Sequence, residues 1–139
     1  MITLDASVVV AHLSPGDLHH HVASAFFQGV VAEDLVMHSL NLAEVLVGGA
    51  KAGRGQEMLE DLRAIGIRVA ERPQDEALRL ANLQAETGLK LPDCCALDTA
   101  LLTGSTLATF DDALANAARQ RDLTVAPAPE TENRAGESQ

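Results

Sequence analysis

The chain has 139 residues, of which 47% are hydrophobic and only 2% aromatic, so one domain with a core of Leu, Val, Ile and Ala is expected. Its formal net charge of −10 disfavours a broad nucleic-acid-binding surface, which is normally basic, but leaves room for a localised one. Because the sequence has neither a long apolar run nor a signal-peptide pattern, we predict no membrane span and a cytoplasmic location.

Short apolar runs alternate with helical patterns in the first half of the chain. "ITLD" is predicted to be a strand, and "ASVVVAHL" a helix that ends before Pro15 and Gly16. The next helix is expected to start at Asp17, a typical N-cap residue, and to end at Gly29. After it come a strand in "DLVMHS", a helix in "LNLAEVLVGGAKAG" that ends at its glycines, a helix in "GQEMLEDLRAIG" and a strand in "IRVA".

The second half continues the same alternation. "PQDEALRLANLQAETG" predicts a helix from Pro73 to Gly88, and "LPDCCALDTALLTG" a helix that begins just after Pro92. They are followed by a strand in "TLATF", a helix in "DDALANAARQR" and a fifth strand in "LTVA". We expect the folded domain to span residues 1–126, and residues 127–139, which are poor in apolar side chains, to be a disordered tail.

The strands are continuously apolar and are separated by helices, a pattern typical of parallel sheets covered on both faces. We therefore predict an α/β fold, a three-layer α/β/α sandwich around a central parallel sheet of about five strands.

Four separated acids stand out against this frame. Asp5 and Asp111 each follow a predicted strand, Asp93 lies at the start of a helix, and Glu44 lies within an apolar helix. Ligands of open parallel sheets bind at the carboxyl ends of the strands. Several carboxylates in one place repel and are stable as anions when a cation lies between them. Oxygen ligands without His or Cys predict Mg²⁺ or Mn²⁺, and such a site suggests a metal-dependent nuclease.

Three of these acids also have a purely structural explanation. Asp93 and Asp111 lie at helix starts, where a carboxylate caps free backbone N–H groups and is favoured by the helix dipole. Asp5 precedes a helix and can cap it in the same way.

Three further polar residues near these acids are open to more than one interpretation. Asp98 lies about 140° round its helix from Asp93, so it is predicted to be exposed or to support the site indirectly. Asp112 is expected to be solvated or to cap a helix. Ser7 either caps a helix or hydrogen-bonds a carboxylate or a metal-bound water.

The histidines and cysteines suggest a competing type of site. His19 to His21 are consecutive and fan out around a helix, so we predict a solvent-exposed run; His12 and His38 are isolated, and a zinc enzyme is disfavoured. The adjacent Cys94 and Cys95 are expected to be small apolar core residues. A phosphoacceptor receiver domain is disfavoured because the sequence lacks the acidic pair, the aspartate and the lysine that its site needs.

Three stretches resemble a known family. "ITLDASVVVAHL", "LNLAEVLVGGAKAG" and "LPDCCALDTALLTGSTLATFDDALANAA", in this order, resemble the PIN domain, and specifically the VapC-type toxins of bacterial toxin–antitoxin pairs. The resemblance spans roughly residues 2–126. The family's four acids match Asp5, Glu44, Asp93 and Asp111. It implies a pocket that holds one or two Mg²⁺ or Mn²⁺ ions and metal-dependent cleavage of RNA by an activated water.

The resemblance also implies partners and supporting residues. It implies a cognate VapB-type antitoxin and a homodimer. Support for the metal ligands is expected from Ser7, Asp98 and Asp112, and contacts to RNA from Lys51, Arg54 and Lys90. Asp98 departs from the family, which commonly has a small residue there, and the overall acidity is unfavourable for RNA. A PIN nuclease that processes RNA outside toxin–antitoxin systems and a non-catalytic PIN-like binding protein are the alternatives.

Overall fold

The structure is a computed structural model that describes residues 1–127. Within this range the chain forms five strands and seven helices: β1 (Ile2–Leu4), α1 (Ala6–Leu13), α2 (His20–Gly29), β2 (Leu35–Met37), α3 (Ser39–Lys51), α4 (Gly55–Ala64), β3 (Ile67–Val69), α5 (Glu76–Thr87), α6 (Leu91–Thr103), β4 (Thr106–Ala108), α7 (Asp112–Arg119) and β5 (Val125–Ala126). Of the predicted tail, residues 128–139 lie outside the described residues.

All five strands belong to one parallel sheet in the order β3-β2-β1-β4-β5, which confirms the predicted α/β fold. The chain builds the sheet outward from β1 to β3 and then returns to the other side of β1 with β4. The strand order therefore reverses between β1 and β4, and ligands of such sheets bind at the carboxyl ends of the strands at this point.

The core is divided between the two faces of the sheet, as a three-layer sandwich requires. Leu107 and Ala108 are adjacent in β4 and point to opposite faces, so each belongs to a different cluster of buried side chains. One cluster joins β1 and β2 to α1, α3 and α4, and the other joins β4 to α5, α6 and α7. Cys94 and Cys95 are buried and unpaired, in agreement with their prediction as core residues.

Most predicted boundaries are confirmed, and the exceptions have local causes. α3 continues through its glycines to Lys51, and Gly49 lies so close to α4 that an added Cβ would be 3.0 Å from a methyl of Met58. α6 begins before Pro92, not after it, because the first turn of a helix does not use the missing proline N–H. α2 begins at His20, because Asp17 accepts a hydrogen bond from the His19 N–H in a separate turn.

The prediction that Asp98 is exposed is wrong, and no described hydrogen bond links its side chain to Asp5, Glu44, Asp93 or Asp111. The Asp98 side chain is buried between α5 and α6, where Oδ1 accepts a hydrogen bond from Arg79 Nε at 3.0 Å and forms an ion pair with Arg79 Nη2 at 2.9 Å. The ion pair compensates the charge of a carboxylate that would otherwise be costly to bury. Asp98 is therefore a structural acid. None of the helices in residues 1–127 has the length and apolar character needed to cross a membrane.

Replacing Arg79 with Met should lower the free energy of unfolding by about 2–4 kcal/mol, because it leaves the buried Asp98 carboxylate without a partner. Urea denaturation with the urea dependence fitted for each variant measures the change. Arg54→Met is the matched control, because Arg54 forms an exposed ion pair with Glu57, and it should change stability little. Equal destabilisation by both substitutions would contradict this role of Arg79.

Candidate functional site

The fold brings the four predicted acids to one place. Asp5 directly follows β1 and Asp111 follows the end of β4, so both lie where the strand order reverses. Asp93 lies in the first turn of α6 and Glu44 in the second turn of α3. The pKa of Asp93 is raised to about 6, first by burial and then by the negative charges of Asp111, Asp5 and Glu44. The charges of the other three carboxylates therefore reach Asp93, and we call the four together the acidic cluster.

Asp5 is held by two hydroxyl groups and does not cap its helix. The residue is only 5% exposed, and its Oδ2 accepts hydrogen bonds from Ser7 Oγ and Thr109 Oγ1, each at 2.8 Å. Although Asp5 is the N-cap residue of α1, its side chain makes no capping hydrogen bond. Its Oδ1 forms no hydrogen bond with any residue in the described range, so this oxygen is available to a cation.

The same two hydroxyls fix the loop that follows β4. Ser7 Oγ accepts a hydrogen bond from the Phe110 N–H at 3.1 Å, and Thr109 Oγ1 accepts one from the Asp111 N–H at 3.0 Å. Each hydroxyl thus donates its hydrogen to Asp5 and accepts one from the backbone beside Asp111. This places Ser7 where one of its two predicted roles requires it. Thr109 was missed, although the threonine two residues before Asp111 is a usable signal.

Asp111 caps its helix, whereas Asp93 does not. Asp111 is the N-cap of α7, and its Oδ1 accepts a hydrogen bond from the Leu114 N–H at 2.9 Å. Capping and membership of the acidic cluster therefore coexist in this residue. Asp93 is half-buried and does not cap α6, whose N-cap position is occupied by Lys90. The capping explanation therefore does not account for Asp93.

Glu44 is exposed but is held by a buried neighbour. Asn41, which is fully buried in α3, donates from Nδ2 to Glu44 Oε1 at 3.2 Å and to the Pro92 carbonyl at 3.0 Å. Sequence analysis missed Asn41, although it is a polar residue one helical turn before Glu44 in an otherwise apolar segment. The contact ties Glu44 to the residue that precedes Asp93.

The acidic cluster fits a hard divalent cation. It offers four carboxylates and no sulfur or imidazole ligand, which is the donor set that Mg²⁺ and Mn²⁺ prefer. Among the groups of residues 1–127 that act on Asp93, only Lys90 opposes the rise in its pKa. A divalent ion would relieve the remaining repulsion between the carboxylates. One or two such ions could be held by Asp5, Glu44, Asp93 and Asp111.

The three basic residues predicted to contact RNA differ in their position relative to the acidic cluster. Lys90 is exposed next to α6, and its charge reaches Asp93. Lys51 is exposed in the last turn of α3, two turns after Glu44 on the same side of the helix. Arg54 is not brought to the acidic cluster by any described contact; it pairs with Glu57 through Nε at 3.1 Å and Nη2 at 2.9 Å.

Asp112 was predicted to be solvated, to cap a helix or to support the metal ligands. It is exposed as the first residue of α7, and the capping hydrogen bond there comes from Asp111. No described hydrogen bond links its side chain to the acidic cluster.

The prediction of a solvent-exposed histidine run is wrong for two of its three members. His19 is half-buried and stacks on Phe110, with ring centroids 4.3 Å apart and planes 12° apart. His20 is half-buried and its Nδ1 lies 2.9 Å from the Ala11 carbonyl, to which it donates. Only His21 is exposed. The residues before α2 form a turn that returns to the end of α1, which brings these rings against the domain.

His38 was predicted to be isolated, but it belongs to a buried group with Glu76 and Cys95, whose ligand atoms lie within 4.8 Å of one another. The Leu40 N–H donates to His38 Nδ1, so Nε2 carries the ring hydrogen and donates to Glu76 Oε1 at 2.5 Å. A metal at Nε2 would have to displace that hydrogen. Burial, with a smaller contribution from Glu76, raises the pKa of the Cys95 thiol to about 11 and keeps it protonated. This group therefore does not suit a metal.

Glu76 in that group is held as an anion by its neighbours. Burial alone would raise its pKa, but hydrogen bonds from Arg72 and His38 outweigh burial and lower it. Arg72 Nε donates to Glu76 Oε2 at 2.6 Å. His38 caps α3 and Glu76 is the first residue of α5, so the group braces the starts of these two helices. His12, which is isolated in the sequence, lies with its Nδ1 3.1 Å from Ser24 Oγ.

Comparisons with known proteins agree with this architecture. The PIN domain family model matches residues 2–120. A toxin–antitoxin complex from Klebsiella pneumoniae has a chain with 26% sequence identity and a TM-score of 0.64, over 80% of this chain and 87% of that one. FitAcB from Neisseria gonorrhoeae has 22% identity and a TM-score of 0.67, over 91% and 97% of the two chains.

VapBC2 from Rickettsia felis, bound to a DNA fragment from its promoter, has 16% identity and a TM-score of 0.66, over 91% of this chain and 98% of that one. At this identity, and at that of FitAcB, the likeness shows the fold alone. No curated protein sequence matches the chain.

The raised pKa of Asp93 predicts how stability depends on pH without metal. An unfolded aspartate loses its proton at about pH 4, whereas folded Asp93 loses it at about pH 6. The folded state therefore binds more protons in this interval, so the contribution of Asp93 to stability declines as the pH rises through it. Asp93→Asn, which cannot ionise, should become more stable relative to the wild type from about pH 4 to about pH 7.

Urea denaturation in EDTA across this pH interval measures the difference, with Asp61→Asn, an exposed acid of α4, as the control. A difference between wild type and Asp93→Asn that does not vary with pH would contradict the assigned repulsion.

Proposed function

Because the chain belongs to the PIN domain family, we propose that it is a metal-dependent endoribonuclease that acts as the toxin of a toxin–antitoxin pair. The observation that carries the catalytic part is the acidic cluster at the reversal of strand order, with an Asp93 whose pKa is raised by three other carboxylates. The alternatives are an RNA-processing PIN nuclease outside such systems and a non-catalytic PIN-like binding protein.

In this proposal Asp5, Glu44, Asp93 and Asp111 hold one or two Mg²⁺ or Mn²⁺ ions. When bound, such an ion neutralises charge on the phosphodiester and lowers the pKa of a coordinated water. The reaction is hydrolysis, in which a water oxygen forms a bond to phosphorus and one P–O ester bond breaks. No protein nucleophile is needed, and neither the histidines nor the cysteines enter the mechanism.

The protein's own contribution is to fix the ligands before the substrate arrives. Ser7 and Thr109 occupy Oδ2 of Asp5 and leave Oδ1 for the ion. The Leu114 N–H occupies Oδ1 of Asp111 in the same manner. In both Asp5 and Asp111, one carboxylate oxygen is thus fixed by hydrogen bonds while the other remains available. Such preorganisation avoids rearrangement of the ligands during the reaction.

The negative charge of the site limits how RNA binds. A phosphodiester is repelled by the acidic cluster unless cations compensate it, so binding and cleavage should both depend on the divalent ion. Lys90, whose charge reaches Asp93, is the best-placed candidate to contact a phosphate. Lys51 lies on the Glu44 side of α3 and is a second candidate. Arg54, engaged with Glu57, is the weakest of the three.

The proposed partners follow from the structural neighbours. The Klebsiella chain that this protein resembles was solved in a toxin–antitoxin complex, and the Rickettsia one in a VapBC assembly on promoter DNA. We infer a VapB-type antitoxin as the binding partner and a homodimer as the assembly of the toxin.

The catalytic proposal predicts that the purified protein, free of antitoxin, cleaves RNA with Mg²⁺ or Mn²⁺ and not with EDTA. Asp5→Asn and Asp93→Asn should each lower the cleavage rate at least about 100-fold, because loss of a ligand exceeds the 10–100-fold effect of losing a supporting hydrogen bond. Gel analysis of a labelled RNA pool measures the rate, and Asp61→Asn should cleave like the wild type. Equal cleavage by Asp5→Asn and the wild type would contradict the assigned role of Asp5.

The biological proposal predicts that expression of the wild type in bacteria stops growth, that Asp5→Asn does not, and that co-expression of a small protein encoded beside its gene restores growth. Growth curves after induction measure this, with immunoblots to show equal protein levels. RNA cleavage in vitro without growth arrest would favour an RNA-processing nuclease outside toxin–antitoxin systems.

A further inference from the structure

Asn41 is a fully buried polar residue in the helix that carries Glu44, and the proposed mechanism does not use it. Its immediate neighbours in α3, Leu40 and Leu42, are apolar, so the local pattern does not call for an amide. Nδ2 of Asn41 donates to Glu44 Oε1 at 3.2 Å and to the Pro92 carbonyl at 3.0 Å. The Pro92 carbonyl belongs to the peptide bond that leads into Asp93. Asn41 therefore contacts one member of the acidic cluster, Glu44, and the residue that precedes another, Asp93.

The orientation of this amide is chemically determined. If its nitrogen and oxygen were exchanged, the oxygen would face a carboxylate oxygen and a carbonyl oxygen, which are both acceptors. Nδ2 must therefore point at Glu44 and Pro92. In that orientation Oδ1 is buried and has no hydrogen-bond partner among the described residues. A buried acceptor without a partner opposes folding, so packing alone would favour a leucine at this position.

We propose that Asn41 is a positioning residue that holds the Glu44 carboxylate toward Asp93 and thereby sets the geometry of the metal site; the inference rests on the proposed metal dependence. Glu44 is exposed, and a glutamate side chain without a partner samples many rotamers. The hydrogen bond from Asn41 Nδ2 restricts the rotamers of Glu44. Its role for Glu44 parallels that of Ser7 and Thr109 for Asp5.

A merely structural role makes a different prediction. If Asn41 serves only to join α3 to the start of α6 through the Pro92 carbonyl, its loss should disturb the site to the same extent with or without the Glu44 carboxylate. If it acts through Glu44, its effect on metal binding should vanish once Glu44 no longer ligates. A double-mutant cycle separates the two roles.

The test measures the Mn²⁺ affinity of the full chain, from the electron paramagnetic resonance signal of free Mn²⁺ in a titration. The variants are Asn41→Leu, Glu44→Gln, their combination, and Asn82→Leu as a matched control on the exposed side of α5. Asn41→Leu should weaken Mn²⁺ binding about tenfold or more, the range for loss of a supporting hydrogen bond to a metal ligand. In the Glu44→Gln background the same change should alter affinity less than about twofold, and Asn82→Leu should bind like the wild type.

Several results would overturn the inference. If the wild type binds Mn²⁺ and Asn41→Leu binds it equally well, Asn41 does not position a ligand and the proposed metal site stands. An equal loss in both backgrounds would assign Asn41 a structural role only. If the wild type binds no Mn²⁺, the proposed metal site fails and the inference fails with it. Should Asn41→Leu not unfold cooperatively on heating, Asn41→Ala replaces it, because it removes the donors without adding a charge and should weaken binding in the same Glu44-dependent way.

Discussion

β1 and β4 pair in parallel with Leu4 opposite Ala108, so Asp5 and Thr109 lie side by side where the two strands end. From this register follow the hydrogen bond between their side chains and the loop geometry that carries Asp111. A shift of one residue would turn the alternating side chains of β4 to the wrong faces and separate these groups. The short strands matter less for their own stability than for this alignment, to which α3 and α6 then add Glu44 and Asp93.

Charge compensation separates the structural acids from the candidate functional ones. The buried Asp98 is paired with Arg79, and the buried Glu76 is paired with Arg72 and also accepts a hydrogen bond from neutral His38. No member of the acidic cluster forms an ion pair with a residue in the described part of the chain. Asp5, Glu44 and Asp111 are instead held by hydroxyl, amide and backbone N–H donors, respectively, which orient them without neutralising their charge. A divalent cation bound at the cluster would supply the compensating charge.

Local patterns in the sequence predict the parallel sheet, the order of its elements and the four acids, because apolar runs, glycines and prolines act over a few residues. The contacts that organise the site are not local. Thr109 reaches Asp5 across 104 positions and Asn41 reaches Pro92 across 51, so no periodicity signals them. The sequence analysis did not predict the pairing of Asp98 with Arg79 or the stacking of His19 on Phe110, because these contacts also join distant positions. Neither the sequence nor the structure tests whether Asp5, Glu44, Asp93 and Asp111 bind a metal, so these roles stay predictions.

The central claim is that these four carboxylates form one divalent-cation site. A crystal of the protein grown with Mn²⁺ tests it most directly, because the anomalous scattering of manganese locates the ion without assumptions about its ligands. The account predicts one or two anomalous peaks bounded by Asp5, Glu44, Asp93 and Asp111. Manganese bound only at another position, such as between His38, Glu76 and Cys95, or no bound manganese at all, would contradict it.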